Sequence, residues 1–181
     1  VVTKDDNSLY EVNLVSKKIM NKTALPAEAY TCVLSNDNSE LYISVWGAEK
    51  LLVYNTLSQK ITSSIATGTH PNDLILSKNG KTIYVANGED NSVSVIDIKN
   101  RKVLETLNCA LYPNALAGST TNGVALSTDE KTLYIANADN NCLAVFDVSA
   151  VGNSKSKGFI PVGWYPTSVK VVGSKIYVTN G

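Results

Sequence analysis

Apolar and polar residues alternate in short runs along most of the chain. Runs such as TIYVAN (82–87) and SVSVID (92–97) are rich in β-branched and aromatic residues, as strands are. Polar turns separate the runs, and SKNGK (77–81) carries an Asn-Gly pair suited to a tight hairpin. No window keeps an apolar period of about 3.6 residues, the period of a helix. The pattern therefore predicts an all-β protein with almost no helix.

Two landmarks recur along the chain with the same spacing. A tyrosine after an apolar residue recurs at intervals of 42, 50 and 43 residues, as Tyr42, Tyr84, Tyr134 and Tyr177. The polar residue that closes the next apolar run recurs at intervals of 42, 42 and 50, as Asn13, Asn55, Asp97 and Asp147. Four strands in a unit of roughly 42 residues are typical of a β-propeller blade. Stacked blades cover each other's faces, so the repetition serves the scaffold.

The repeat predicts a β-propeller built of four-stranded antiparallel blades. Aligning the units gives a partial blade at 1–25, full blades at 28–66, 70–107 and 113–162, and a partial blade at 166–181. Closed propellers most often have about six to eight blades. We therefore expect this chain, with about four blades, to be part of a larger, roughly seven-bladed propeller. A four-bladed ring is the alternative.

The repeated segments also resemble a known family. IYVANGEDNSVSVID, LYIANADNNCLAVFD and IYVTNG resemble the YVTN-type (YncE-like) β-propeller repeat of bacterial and archaeal surface and periplasmic proteins. The places where the repeat is broken, such as SVWGAEKLLVYN (44–55) and THPNDLILS (69–77), resemble the propeller half of bacterial proteins that join such a propeller to an alkaline-phosphatase-like phosphoesterase domain. The chain departs from that pattern at TTN (120–122), where Thr-Pro-Asn is expected.

The resemblance implies a secreted or periplasmic bacterial protein, with the phosphoesterase domain downstream. These residues themselves would not hydrolyse a phosphoester, because that domain needs several Asp and His ligands and the chain has one histidine. The preferred hypothesis is a non-catalytic module without catalytic residues, metal or cofactor. It would be a binding platform for the downstream domain or for a protein or glycan ligand.

Charge and hydropathy limit the other partners. The chain has 16 basic and 16 acidic residues, which gives no reason to expect nucleic acid or an anionic membrane surface. No apolar run approaches the roughly 18 residues of a membrane span. Three cysteines without a CxxC spacing predict neither a disulfide framework nor a zinc site.

Aromatic and amide residues gather where the repeat is broken. In a propeller, the hairpins between second and third strands lie on the same face as the connections into the next inner strand. We therefore expect one recognition surface formed by Trp46, His70, Asn72, Tyr112, Asn122, Trp164 and Tyr165. The competing interpretation, which we favour for the tryptophans, is that they fill gaps between blades.

Two other functions remain open. One is a lactonase-like propeller hydrolase with a central cation. The inner-strand entrances that would bind the cation hold Glu28, Asn72, Asn122 and Thr167. One carboxylate binds a divalent cation poorly, which weakens this alternative. The other is a surface adhesin, as YVTN repeats elsewhere suggest.

Overall fold

The fold is built almost entirely from antiparallel β-strands. A computed structural model describes residues 1–181 and contains seventeen strands in five sheets, with two single-turn 3-10 segments at Trp46–Ala48 and Ala138–Asn140. Three sheets have four strands, the first has three and the last has two. The predicted all-β class and four-stranded blades are confirmed. No helix is long and apolar enough to cross a lipid bilayer.

The strands follow the repeat in chain order. The first sheet contains β1 (Val2–Thr3), β2 (Ser8–Asn13) and β3 (Lys18–Ala24). The second contains β4 (Thr31–Leu34), β5 (Glu40–Val45), β6 (Lys50–Asn55) and β7 (Lys60–Ala66). The third contains β8 (Pro71–Leu76), β9 (Thr82–Asn87), β10 (Ser92–Asp97) and β11 (Lys102–Asn108).

The remaining two sheets continue this order. The fourth sheet contains β12 (Thr121–Leu126), β13 (Thr132–Asn137), β14 (Cys142–Asp147) and β15 (Lys155–Pro161). The fifth contains β16 (Pro166–Val172) and β17 (Lys175–Asn180). The sequence predicted that the third full blade, which forms the fourth sheet, begins at residue 113. Its first strand begins at Thr121, because the insertion in this unit lengthens the connection before the strand.

Apolar side chains between neighbouring sheets form the core. Leu51 of the second sheet and Ile83 of the third share one buried cluster, and Leu133 of the fourth packs with Val93 of the third in another. The inner strands β4, β8, β12 and β16 lie side by side. The sheets therefore stack in chain order around the inner strands, and each face that a sheet buries is covered by its neighbour.

One backbone device recurs in four sheets, in the hairpin between β1 and β2 and in the equivalent hairpins β5–β6, β9–β10 and β13–β14. A residue with φ between 48° and 53° directs its carbonyl to the segment that leaves the outer strand. The carbonyls of Asn7, Glu49, Asn91 and Asn141 accept from the backbone N–H groups of Leu25, Thr67, Cys109 and Val162 at 2.7 to 3.0 Å. Hairpins and connections are thereby held together at one rim of the molecule.

The long connection before β12 is fastened to this rim by Asn91. Its side-chain Nδ2 donates to the carbonyl of Leu116 at 2.8 Å, and its Oδ1 accepts from the backbone N–H of Gly118 at 2.9 Å. The insertion thus enlarges the rim and leaves the sheets unchanged.

Candidate ligand-binding site

A pocket of about 340 Å³ opens at the rim where the inner strands β4, β8 and β12 begin. This volume lies at the small end of the range for ligand pockets, roughly 300–1,000 Å³. The residues that give it chemistry are Lys4, Glu28, Tyr30, Trp46, His70, Asn72, Glu89 and Asn122. The pocket therefore joins an aromatic wall to amide and charged groups from four sheets.

Trp46 forms the aromatic wall. It follows β5 at the position where the first, third, fourth and fifth sheets have Lys4, Gly88, Ala138 and Gly181. The indole and the imidazole of His70 have ring centroids 4.0 Å apart, at an interplanar angle of 41°. The ammonium of Lys4 lies 5.0 Å from the indole centroid, a cation–π contact. These contacts fix a half-buried indole at the pocket.

His70 stands immediately before β8 in the left-handed region, with φ of 52°. Its carbonyl accepts from the backbone N–H of Gly88 at 2.8 Å, which holds the residue against the hairpin of its own sheet. Its Nδ1 lies 2.9 Å from a carboxylate oxygen of Glu89. The two atoms are close but are not aligned as a hydrogen bond. An imidazole beside a carboxylate can accept a proton at its other nitrogen while the carboxylate stabilises the resulting charge.

Asn72 lies deepest among the polar groups, at 5% exposure. Its Nδ2 donates to Oδ1 of Asn122 at 3.2 Å, and its Oδ1 is buried without a hydrogen-bond partner in the protein. A Cβ on Gly88 would lie 2.8 Å from that Nδ2, so any other residue at this position would displace the Asn72 amide. The site thus contains one acceptor that lacks a donor.

The structure brings together four of the seven predicted residues: Trp46, His70, Asn72 and Asn122 line the pocket. Tyr112 and Trp164 lie in connections on the same rim but outside it, at 62% and 74% exposure. Tyr165 is half-buried and donates its backbone N–H to Oδ1 of Asn141 at 2.8 Å. The exposure of Trp164 contradicts the gap-filling interpretation for that residue, whereas Trp46 lines the pocket and also contacts Lys4 and His70 of the neighbouring sheets.

The register of the second sheet corrects one sequence alignment. Cys32 pairs with Ile43 in this sheet as Leu74 pairs with Val85 in the third. Counted along the chain from these pairs, Tyr30 has the position of Asn72 and Glu28 that of His70, although the register shift between Pro71 and Leu74 in the third sheet has no counterpart in β4. The segment ALPAEAY (24–30) carries no repeat landmark, so the offset of two residues was not visible in the sequence.

Sequence reasoning missed Glu89, Lys4 and Tyr30 as pocket residues. Glu89 lies in the segment NGEDNS (87–92), whose composition indicates only a polar turn. One signal could have identified it: this hairpin lies on the same face as the connection that carries His70. The fourth sheet repeats the arrangement, since the Thr120 hydroxyl donates to Asp139.

A second cavity, of about 630 Å³, lies between the first two sheets and is lined mainly by apolar residues such as Val1, Leu9 and Tyr54. Cys32 also lines it, and burial raises the pKa of this thiol, which disfavours the nucleophilic thiolate. This cavity has no pair of titratable groups in contact, in contrast to the rim pocket. No group of three or more His, Cys, Asp or Glu side chains in the structure is placed to hold a metal ion.

Antiparallel four-stranded sheets fanned about adjacent inner strands, with a pocket at the rim, define the protein as a β-propeller. The family model described as "Lactonase, 7-bladed beta-propeller" matches residues 7–108 and 28–180. The chain belongs to this family. The seven blades in the family's description agree with the blade number that the sequence repeat favoured. The match does not single out the YVTN or YncE-like repeat, and no curated protein sequence matches the chain.

Solved structures share the fold at low sequence identity. A Pseudomonas aeruginosa periplasmic gluconolactonase, PpgL, has a TM-score of 0.82 and 21% identity, over 96% of this chain and 56% of that protein. A protein of Bacteroides uniformis assigned as a 6-phosphogluconolactonase has a TM-score of 0.79 and 15% identity, over 99% and 62%. Kuenenia stuttgartiensis hydrazine synthase has a TM-score of 0.67 and 20% identity, over 84% and 44%. The chain thus spans between 44% and 62% of the length of these proteins.

Proposed function

We propose that this chain carries a lactone-hydrolysing site at its rim pocket. The observation that carries the proposal is the contact of His70 with Glu89 at 2.9 Å, beside Trp46, in a member of the lactonase propeller family. The sequence favoured a non-catalytic platform, with hydrolysis as the alternative. The family match and the two fold neighbours with lactonase names now favour the alternative.

The proposed reaction is the opening of a sugar lactone by water. Water attacks the lactone carbonyl carbon and passes a proton to Nε2 of His70. Glu89, at Nδ1, stabilises the imidazolium. When the tetrahedral intermediate collapses, the ring C–O bond breaks and the proton moves from Nε2 to the leaving oxygen. The product is an open-chain hydroxy acid, and His70 returns to its neutral form.

Trp46 is proposed to position the sugar. A sugar ring presents C–H groups on one face and hydroxyl groups around its edge. The indole offers a flat apolar wall to that face, and Asn72 and Asn122 offer amides to the edge. This positioning would hold the carbonyl carbon within reach of His70.

The test is hydrolysis of δ-gluconolactone by the 181-residue chain, followed as acid release in a pH-stat. We expect a rate above the spontaneous one and a fall in kcat/KM of about 10²–10⁴ in His70→Gln, because the proton acceptor is lost. Tyr112→Phe, on the same rim but outside the pocket, is the matched control and keeps the wild-type rate. A wild-type rate equal to that of water alone, or a fully active His70→Gln, contradicts the proposal.

A binding platform is the second candidate, supported by apolar side chains exposed on the rim. Leu116, Trp164 and Tyr112 are 89%, 74% and 62% exposed. In this alternative the partner is a downstream domain, a protein or a glycan, and the protein lies outside the cytoplasm of a bacterium. The YVTN resemblance and the periplasmic fold neighbour support that location. Phosphoester turnover by this chain with added zinc or manganese would refute the platform role in a phosphoesterase.

A further inference from the structure

We infer, resting on the proposed function, that the rim pocket takes an uncharged polyhydroxylated lactone and discriminates against its phosphorylated counterpart. One fold neighbour is named a gluconolactonase and another a 6-phosphogluconolactonase. The fold therefore does not distinguish an uncharged lactone from a phosphorylated one. The decision rests on the charges and hydrogen-bonding groups of the pocket.

The charges at the pocket disfavour a phosphate dianion. Two carboxylates, Glu28 and Glu89, line it. The only lysine in the lining is Lys4, and its ammonium lies over the Trp46 ring. A phosphate here would face two carboxylates and one ammonium, and like-charge contacts in a binding site are strongly unfavourable.

The two usual devices for phosphate binding lie elsewhere or are absent from the chain. Arginine binds phosphate through its bidentate fork, and the single arginine of the sequence is Arg101. Arg101 lies in the turn between β10 and β11, where its Nη2 is 2.5 Å from a carboxylate oxygen of Glu40. Arg101 does not line the pocket. The structure has no α-helix whose N-terminus could receive an anion.

The neutral polar groups fit hydroxyl groups. The Oδ1 of Asn72 is buried and lacks a donor, and a hydroxyl hydrogen would supply one. Asn122 and Tyr30 add an amide and a phenol to the lining. Together with the indole of Trp46, these groups match a sugar that carries hydroxyl groups and no charge.

The first experiment compares kcat/KM for δ-gluconolactone and 6-phosphogluconolactone. We expect the wild-type chain to favour the unphosphorylated lactone by about tenfold or more. Glu28→Gln, which removes one carboxylate with little change of shape, should narrow this ratio severalfold, and Lys4→Met should widen it. A ratio near one, or a preference for the phosphorylated lactone, overturns the inference.

The second experiment reads binding without turnover, so that the inference and the proposed function can fail separately. In a Trp164→Phe background, Trp46 is the only indole, and its fluorescence reports the pocket. We expect titration with glucose, the uncharged probe, to change the emission at lower concentration than glucose 6-phosphate. This result without lactone hydrolysis would refute the proposed function alone. Equal or tighter binding of glucose 6-phosphate, or binding of neither sugar, overturns the inference.

Discussion

The two ends of the inner strands differ in how closely the blades resemble each other. At the end away from the pocket, the hairpins before β5, β9 and β13 use one device. A serine hydroxyl donates at 2.6 to 2.8 Å to the side-chain oxygen two residues later, in the pairs Ser35 and Asp37, Ser77 and Asn79, and Ser127 and Asp129.

At the pocket end, the equivalent positions hold different residues. The position before each inner strand is occupied by Tyr30, His70, Thr120 and Tyr165. The residue after the next strand is Trp46 in the second sheet, whereas the first sheet has Lys4 there and the others have glycine or alanine. Positions that hold similar residues from blade to blade therefore stabilise the scaffold, whereas the pocket residues lie at positions where the blades differ.

The largest expected effect comes from disrupting the packing between sheets, on which both ends of the inner strands depend. Leu133→Ala should lower the free energy of unfolding by about 2–5 kcal/mol, because it opens a cavity in the buried cluster between the third and fourth sheets. Leu57→Ala is the matched control, since Leu57 is 93% exposed, and should change stability little. Urea unfolding measures both. Equal midpoints for the two variants would contradict the packing described for these sheets.

A smaller effect should separate the divergent end from the scaffold. Trp46→Gly restores the residue found in the third and fifth sheets, and we expect the fold to tolerate it. The kcat/KM for δ-gluconolactone should fall about tenfold, equivalent to ~1.4 kcal/mol, because the sugar loses its apolar wall. Trp164→Gly is the control and should leave turnover unchanged. Wild-type turnover in Trp46→Gly would remove the indole from the site.

The smallest effect is expected at the end where the blades agree. Hydrogen bonds from Ser35 and Ser39 lower the pKa of Asp37 from 3.8 to about 2. A carboxyl whose folded pKa is lowered stabilises the fold above its unfolded pKa, and this stabilisation is lost as the pH falls from about 3.8 to about 2. The substitution Asp37→Asn introduces an amide at the position where the third sheet has Asn79. This variant should unfold at a slightly lower urea concentration than the wild type at neutral pH and lose less stability on acidification. Identical acid profiles would show that this carboxylate does not contribute.

The scaffold could be predicted because its signals are periodic. The tyrosines at the repeat spacing include Tyr42 and Tyr84, which are 1% and 2% exposed, and the burial they share between blades keeps them alike. Trp46 and His70 could be found as interruptions of the same repeat. The pairing of His70 with Glu89 could not, because a glutamate in a polar hairpin has the same appearance in sequence whether it faces solvent or a ligand. Tyr30 was missed because it depends on a register that only the strand pairing reveals.

The most direct test of the account is a crystal structure of the chain with gluconolactam, an uncharged and unreactive analogue of δ-gluconolactone. We expect density for the analogue against the indole of Trp46, with a hydroxyl group at Oδ1 of Asn72 and the carbonyl carbon facing His70. Density in the apolar cavity beside Leu9 and Tyr54, or an empty rim pocket at saturating analogue, would contradict it.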